Sequence, residues 1–475
     1  MTTEYSLTKS DFILFLDAPK HLWAKVNHQA ELTPSPLGQE MIRQGYEVEA
    51  LGKTYLARFV VNQAENQKLV WQETFTDQSY ITRVDGLVYK PNSESYDLYE
   101  IKSGTSLDKD HYYDCAFQLL VLEASIKVDR VFLLHLNKEY IRGELLDIES
   151  LFIAEDITEK TVAILDDVRI LRNQALTTAL SLTADTLLQC FNPKTCPCLN
   201  LCYPNLPQFS IFDVPMLKAT SKQTLLDMSI RSAADIPNSF RLSDKQRLVV
   251  QLARTEQEII DRQAIQREMD QFNFPLYFLD YETYNAAIPL FPGYHPQQQM
   301  VFQYSLHIID APGGDLRHEE HLSYTTAEPS LLLLDKLRQD IGGKGTVLVW
   351  NKSFEMTCNK NMAKVHPEFN DFLDDINSRV YDLGDFISKG YYLHPGFKGS
   401  WSIKNVLPVM VPDLSYEILE IGNGEEATTR WWQMVYRGMP DEESIATRRD
   451  LLAYCEMDTL AMVKIYERLI ELSQG

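Results

Sequence analysis

At 475 residues the chain is too long for one hydrophobic core, so two or three domains are expected. Its apolar content of 45% and aromatic content of 11% exclude a disordered polymer, and the lack of a long charge-free apolar run excludes a membrane-spanning helix. A formal net charge of −22, shared by both halves, excludes a basic nucleic-acid module of the usual kind, because non-specific affinity for phosphates comes largely from Lys and Arg.

Met1-Thr2-Thr3-Glu4 carries no basic stretch ahead of the short apolar run Phe12 to Leu16, so no signal peptide and a cytoplasmic location are expected. Ser6 to Asp11 reads as the cap of a first helix, and a second helix is expected from about Leu37 to Phe59, after Pro34 and Pro36. Alternation over Tyr80 to Tyr89 predicts a strand ending in a turn at Lys90-Pro91-Asn92-Ser93, with the extended pattern resuming from Tyr96 to Ile101. A helix over Tyr112 to Ser125 and a buried strand over Val128 to Leu136 follow. Residues 156–190 have helical period and lead into prolines at 193, 197, 204 and 207. Residues 216–270 read as a helical connector with caps such as Ser243 to Gln246. A second α/β pattern then begins: a short strand Leu276 to Leu279 delivering Asp280, a strand Val301 to Ile309, a turn at Pro312-Gly313-Gly314, a helix over 328–341, a strand Thr346 to Trp350, and a final helix from Arg449 to Leu472.

Two carboxylate sets stand out. In the first half, Glu100 and Lys102 lie two apart on a predicted strand and so share a face, with Asp85 on the strand before. Asp85 and Glu100 can share a divalent ion while Lys102 stabilises or deprotonates an attacking water. Oxygen ligands of this kind select Mg²⁺ or Mn²⁺. An Asp followed by Glu-x-Lys also recurs on exposed hairpins. In the second half, Asp280 and Glu282 straddle Tyr281, Glu355 follows the strand ending at Asn351, and Tyr454 and Asp458 occupy one helical face at i and i+4. Four acidic groups of this kind suit two ions, with Tyr454 orienting the water.

Seven cysteines are present, and Cys190, Cys196, Cys198 and Cys202 fall within thirteen residues. In a cytoplasmic chain this clustering suggests a metal and not disulfides; four thiolates in one loop suit zinc or an iron–sulfur cluster. Between the late acidic motifs, Tyr391 to Leu407 mixes Gly, aromatic and basic residues. With Lys352, its Lys398, Trp401 and Lys404 suit stacking and backbone contact with single-stranded nucleic acid, an ordered loop around a core Trp being the other reading.

The first half, with Glu49, Asp85-Gly86, Glu100-Ile101-Lys102 and Gln118 in order, resembles the RecB-type nucleases of the PD-(D/E)XK superfamily. The resemblance implies that Glu49 is a further metal ligand, with Glu47 its rival, and that Gln118 belongs to the catalytic set; the Tyr usual four residues later is Leu122. The cysteines resemble those of family members that hold a [4Fe–4S] cluster, which use an early Cys before a Pro and three late ones. Here the early position is Ala18 before Pro19, and Cys198 is the substitute. The second half resembles the DEDD exonucleases of RNase H-like fold, in the subtype carrying Tyr, with Glu355 where Asp is usual. Nearly the whole chain resembles an uncharacterised bacterial family that fuses the two. The expected organisation is therefore a RecB-like domain over 1–215, a helical connector over 216–270 and an RNase H-like domain over 271–475. The implied function is a metal-dependent dual nuclease acting on DNA, exonucleolytic on single-stranded ends, in repair or defence. RNA processing, a fusion with one inactive domain, and an acidic scaffold for a protein partner are the alternatives.

Overall fold

The computed structural model describes residues 5–30 and 32–474, so the N-terminal tetrapeptide read above for a signal sequence lies outside the described residues. The chain divides into two compact units of mixed α/β structure. One holds Met1–Asn205 with Ala286–Gln298, the other Leu206–Asn285 with Gln299–Gly475. No helix among the described residues is long and apolar enough to cross a membrane.

The first unit is built on a five-stranded sheet in the order Lys68–Trp71 (β1), Gly86–Lys90 (β2), Ser95–Lys102 (β3), Val128–Leu136 (β4) and Phe152–Asp156 (β5). Only β3 and β4 run parallel, joined by the helix Lys109–Leu122, whose Asp108 cap accepts from the His111 amide. The pleat sends Tyr99 and Ile101 to one face, where they pack with Val48 and Leu56 of the preceding helical segment. Leu98 faces the other way, with Cys115, Leu119 and Leu122 of the crossover helix. Glu100 and Lys102 share the Leu98 face by the same alternation.

The expected single strand over Tyr80 to Tyr89 is two. Tyr80–Arg83 joins a separate small sheet with Leu7–Thr8 and Thr74–Asp77, and β2 starts only at Gly86. At the junction the Val84 amide bonds to the Glu73 carbonyl and the Asp85 carbonyl accepts from Gln72, so the chain changes sheets at Asp85. The first helix begins at Lys9 because Thr8 and Asp11 form a reciprocal capping box. The helical reading of 156–190 holds only to Ala179.

The second unit has a five-stranded sheet in which Leu276–Asn285 (β6) is central. Gln299–Ile309 (β7) and Leu316–Leu322 (β8) extend it antiparallel on one side, and Thr346–Val349 (β9) and Val380–Asp382 (β10) extend it parallel on the other. Leu276 and Phe278 pack on the long final helix through Met462 and Ile465, whereas Tyr277, Leu279 and Tyr281 pack against Leu333, Cys358 and Met362. Helices thus cover both faces of this sheet. Two expectations change here. Strand β6 runs on to Asn285 with a bulge after Glu282, so Asp280 and Glu282 are mid-strand, and the final helix starts at Asp441, eight residues earlier than Arg449. The segment 216–270 is no separate connector either, because Leu252 and Ile265 are buried in the same core as Leu276 and Phe278.

Gly345 shows how tightly β9 meets the start of β6. It has φ +98, and a β-carbon there would stand 2.1 Å from the Pro275 carbonyl oxygen. Gly345→Ala is expected to lower stability by at least about 2 kcal/mol, from a left-handed backbone plus a backbone clash. Thermal unfolding of the purified variant checks this; a melting curve superimposable on wild type contradicts the packing described.

Candidate functional site

In the first unit the capping box sets Lys9 at the opening of its helix, and Lys9 Nζ lies 2.8 Å from Glu100 Oε1. Lys102 Nζ reaches the same oxygen at 2.8 Å and Asp114 Oδ2 at 2.6 Å. Gln118, fully buried, donates to Glu100 Oε2 (2.8 Å) and to Asp114 Oδ1 (3.0 Å), while its own Oε1 is buried without a partner. Asp85 Oδ2 accepts from the Ile101 amide at 2.8 Å. Lys9, Glu100, Lys102, His111 and Asp114 line an open pocket of about 350 Å³. Burial opposes the Glu100 charge, yet Lys102 and Lys9 hold its carboxyl well below the usual range. Asp85 is pushed the other way, up to about 7, by burial and then by Glu100.

The expected grouping of Asp85, Glu100, Lys102 and Gln118 is therefore present, with Lys9 and Asp114 added. Asp114 was legible in principle, four residues before Gln118 on one helical face; Lys9 had no local signal. Glu49 departs from expectation. It accepts from Gln72 Nε2, whose oxygen in turn accepts from Arg83, and the rival Glu47 pairs with Arg43. Asp85 and Glu100 repel each other, and two ammonium groups already satisfy one Glu100 oxygen.

In the second unit Asp280 and Glu282 continue the Leu276–Phe278 face of β6 and so point to the final helix, where Asp458 is buried. That helix is pinned to the sheet by hydroxyls. Ser305 Oγ lies 2.7 Å from Thr459 Oγ1, His307 Nδ1 lies 2.8 Å from the same hydroxyl, and Gln303 Nε2 donates to the Leu451 carbonyl. Thr459 follows Asp458, so these bonds fix where the carboxylate sits. Tyr416 donates to Asp458 Oδ1 at 2.6 Å, and the Tyr454 hydroxyl bonds to Asp458 as well. Cys455 Sγ stands 3.7 Å from Asp280 Oδ2, and Asp280, Glu282 and Cys455 place ligand atoms within 4.8 Å of one another.

Glu355 lies in the first turn of the helix Lys352–Val365. It is 1% exposed, with Oε2 lacking any partner. Asn351 opens this helix at φ +87, its amide and that of Lys352 bonding to Asp382 at the end of β10.

Burial raises all four carboxyls. Glu355 reaches about 10, with Asp280 adding repulsion, and Asp458 reaches about 6 against the relief given by Tyr416 and Lys404. Burial and then Asp458 hold Asp280 well above the usual range; for Glu282 the cause is burial, then Asp280 and Asp458. An orphaned buried oxygen on Glu355 and mutually repelling carboxylates are relieved by a nearby positive charge. Asp280, Glu282, Glu355 and Asp458 fit a hard divalent ion.

Of the expected nucleic-acid contacts, Lys404 is at this site. Its Nζ lies over the Tyr416 and Tyr454 rings at 5.6 and 5.5 Å and bonds to the Gly422 carbonyl. Trp401 is 40% exposed, which rules out the core-Trp reading, and Lys245 covers its ring at 4.5 Å beside a cavity of about 220 Å³. Lys352 faces Asp385 at 3.9 Å, and Lys398 is a half-buried residue at φ +49. Tyr416 had no sequence signal; it sits in a short turn 42 residues before Asp458.

The cysteines form a third group. Cys196, Cys198 and Cys202 place their sulfurs, together with a His21 ring nitrogen, within 4.8 Å of one another. Cys190 also bonds to Cys202 and His21. The four-thiolate set expected from sequence is thus joined by a histidine that sequence reasoning missed.

The sequence profile of a domain of unknown function, DUF2779, matches residues 277–402. An uncharacterised protein, UU173, of Ureaplasma parvum is 29% identical over 210 residues, 40% of this chain; the match spans 30% of that protein's length. No solved structure matches.

The repulsion among these acids generates a pH prediction. Asp458 titrates at about 6 in the fold against an ordinary 3.8, so the fold favours its protonated form. Its contribution to stability is present below the ordinary value and lost as pH rises through about 6. Metal-free Asp458→Asn is therefore expected to melt a few degrees above metal-free wild type at about pH 8, with the gap roughly halved at about pH 5 and closed only below about pH 4. Equal melting temperatures at both pH values contradict the crowding.

Proposed function

We propose that this protein is a two-site, divalent-metal-dependent nuclease of cytoplasmic location, acting on DNA. The first unit has the PD-(D/E)XK fold and the second an RNase H-like, DEDD-type exonuclease fold. The observation that carries the reading is the gathering of Asp280, Glu282, Glu355 and Asp458 from one strand and two helices, three buried and Asp280 half-buried, close enough to repel one another and faced by Lys404. No structural role for four such groups offsets their desolvation, whereas phosphodiester hydrolysis uses them.

Bound Mg²⁺ or Mn²⁺ would supply Lewis-acid stabilisation of the attacking and leaving oxygens. The chain's own residues do the rest. Tyr416 and Tyr454 hold Asp458 through their hydroxyls, and Tyr454 would orient the attacking water. Lys404, stacked over both rings, presents a charge to a phosphate. In the first unit Asp85 and Glu100 are the ligand pair, Lys102 faces the water from between Glu100 and Asp114, and Gln118 braces both carboxylates. Lys9 serves there as a further phosphate contact.

A second reading keeps the first unit as a binding platform only. Glu49 held by Gln72, Leu122 in place of Tyr, and the two ammonium groups on Glu100 favour it.

End-labelled single- and double-stranded DNA and matched RNA, incubated in Mg²⁺ and in Mn²⁺, separate these readings. Asp280→Ala is expected to lose about 100-fold or more of one product ladder, the loss of several kcal/mol of charge stabilisation. Glu100→Ala is expected to remove a different ladder. If Glu100→Ala changes nothing while Asp280→Ala abolishes cleavage, the first unit is a platform; if both variants cut as wild type does, the assignment is wrong. Preference for RNA over DNA would move the proposal to RNA processing.

A further inference from the structure

We propose that His21 completes a single-zinc site with Cys196, Cys198 and Cys202, in place of the iron–sulfur cluster that the family resemblance implies. The inference is independent of the nuclease reading, because it concerns the end of the first unit, and neither carboxylate set contributes to it.

Distances carry it. His21 Nε2 stands 3.4 Å from Cys196 Sγ, and Cys198 Sγ stands 3.6 Å from Cys202 Sγ. All four ligand atoms lie within 4.8 Å of one another. Around one tetrahedral zinc, with Zn–S about 2.3 Å and Zn–N about 2.0 Å, neighbouring ligand atoms are separated by about 3.6–3.8 Å. A four-iron cluster, by contrast, takes each thiolate on a different iron, which keeps the sulfurs out of contact with one another. The cage here is the size of one ion.

Chain geometry explains how a histidine enters. Asp17 ends the first helix, Ala18 is extended, and Pro19 opens the next, so His21 falls in the first turn after the break. Its ring is 2% exposed, and Nδ1 lies 2.6 Å from Asp17 Oδ2. The contact falls outside hydrogen-bond angles, but a carboxylate this close to Nδ1 favours the proton on that nitrogen and leaves Nε2 free to ligate. Cys198 and Cys202 lie one helical turn apart, so both sulfurs face the same way. Cys190 contacts Cys202, His21 and Cys196 but also points at the Asn192 carbonyl, 3.8 Å away, and stands outside the four whose ligand atoms all lie within 4.8 Å of one another. Position 21, three residues beyond the Ala18 that occupies the usual cysteine place, thus restores a fourth ligand as nitrogen.

The test is metal and sulfide analysis of the anaerobically purified full chain, with its visible spectrum. About one zinc per chain, no acid-labile sulfide and a colourless solution are expected, since zinc has a filled d shell. His21→Ala and Cys202→Ser should each lose the zinc, Cys190→Ser should keep it, and Asp17→Asn should weaken zinc affinity by about 10-fold. Cobalt titrated into metal-stripped wild type keeps the idea falsifiable if variants misfold: the spectrum should report three thiolates and one nitrogen. Iron with sulfide and a coloured solution that Cys190→Ser bleaches and His21→Ala does not would overturn the proposal. So would protein that carries no metal and binds no cobalt.

Discussion

The second unit depends on bringing four carboxyl groups together, three of them buried and Asp280 half-buried, where water solvates them poorly. Charge in such a place is unfavourable, and each neighbour makes the next worse, so the fold must hold the acids against their own repulsion. It does so with unrelated parts: a sheet face for Asp280 and Glu282, a helix start clamped by Asp382 for Glu355, and a helix pinned by Thr459 for Asp458. Lys404 and two tyrosines soften the field without neutralising it. The strain has one natural relief, a multivalent cation, and that links packing to chemistry.

The first unit solves the same problem differently. Glu100 is as deeply buried as any acid in the second unit, yet two lysines and an amide satisfy it, and its carboxyl is driven down instead of up. Asp85, with one backbone amide and no direct ion pair, is driven up to about 7 by burial and then by Glu100. One unit therefore presents a nearly balanced charge pocket and the other a negative one. The difference traces to a local cause, the Thr8–Asp11 box that brings Lys9 to the site.

Local geometry was legible in the sequence wherever two functional groups share one element. Glu100 with Lys102, Asp280 with Glu282, and Tyr454 with Asp458 follow from periods of two and of three to four. Contacts between distant segments were not legible. Lys9 meets Glu100 across 91 residues, His21 meets Cys196 across 175, and no periodicity announces either. The alternation over Tyr80 to Tyr89 concealed a change of sheet at Asp85, because the pattern continues through it while the hydrogen bonds do not. The stretch 216–270 looked like a linker because its caps are polar; only the burial of Leu252 and Ile265 against β6 shows it to be core.

Calorimetric titration of Mn²⁺ into the metal-free chain, in two buffers of different ionisation enthalpy at about pH 7, tests the central claim most directly. The account predicts saturable uptake with proton release, because Glu355, raised to about 10, and Asp280 and Glu282, held well above the usual range, must give up protons to become ligands. It also predicts that Asp280→Asn loses this proton-coupled uptake. Uptake without proton release, or uptake that Asp280→Asn leaves unchanged, would contradict it.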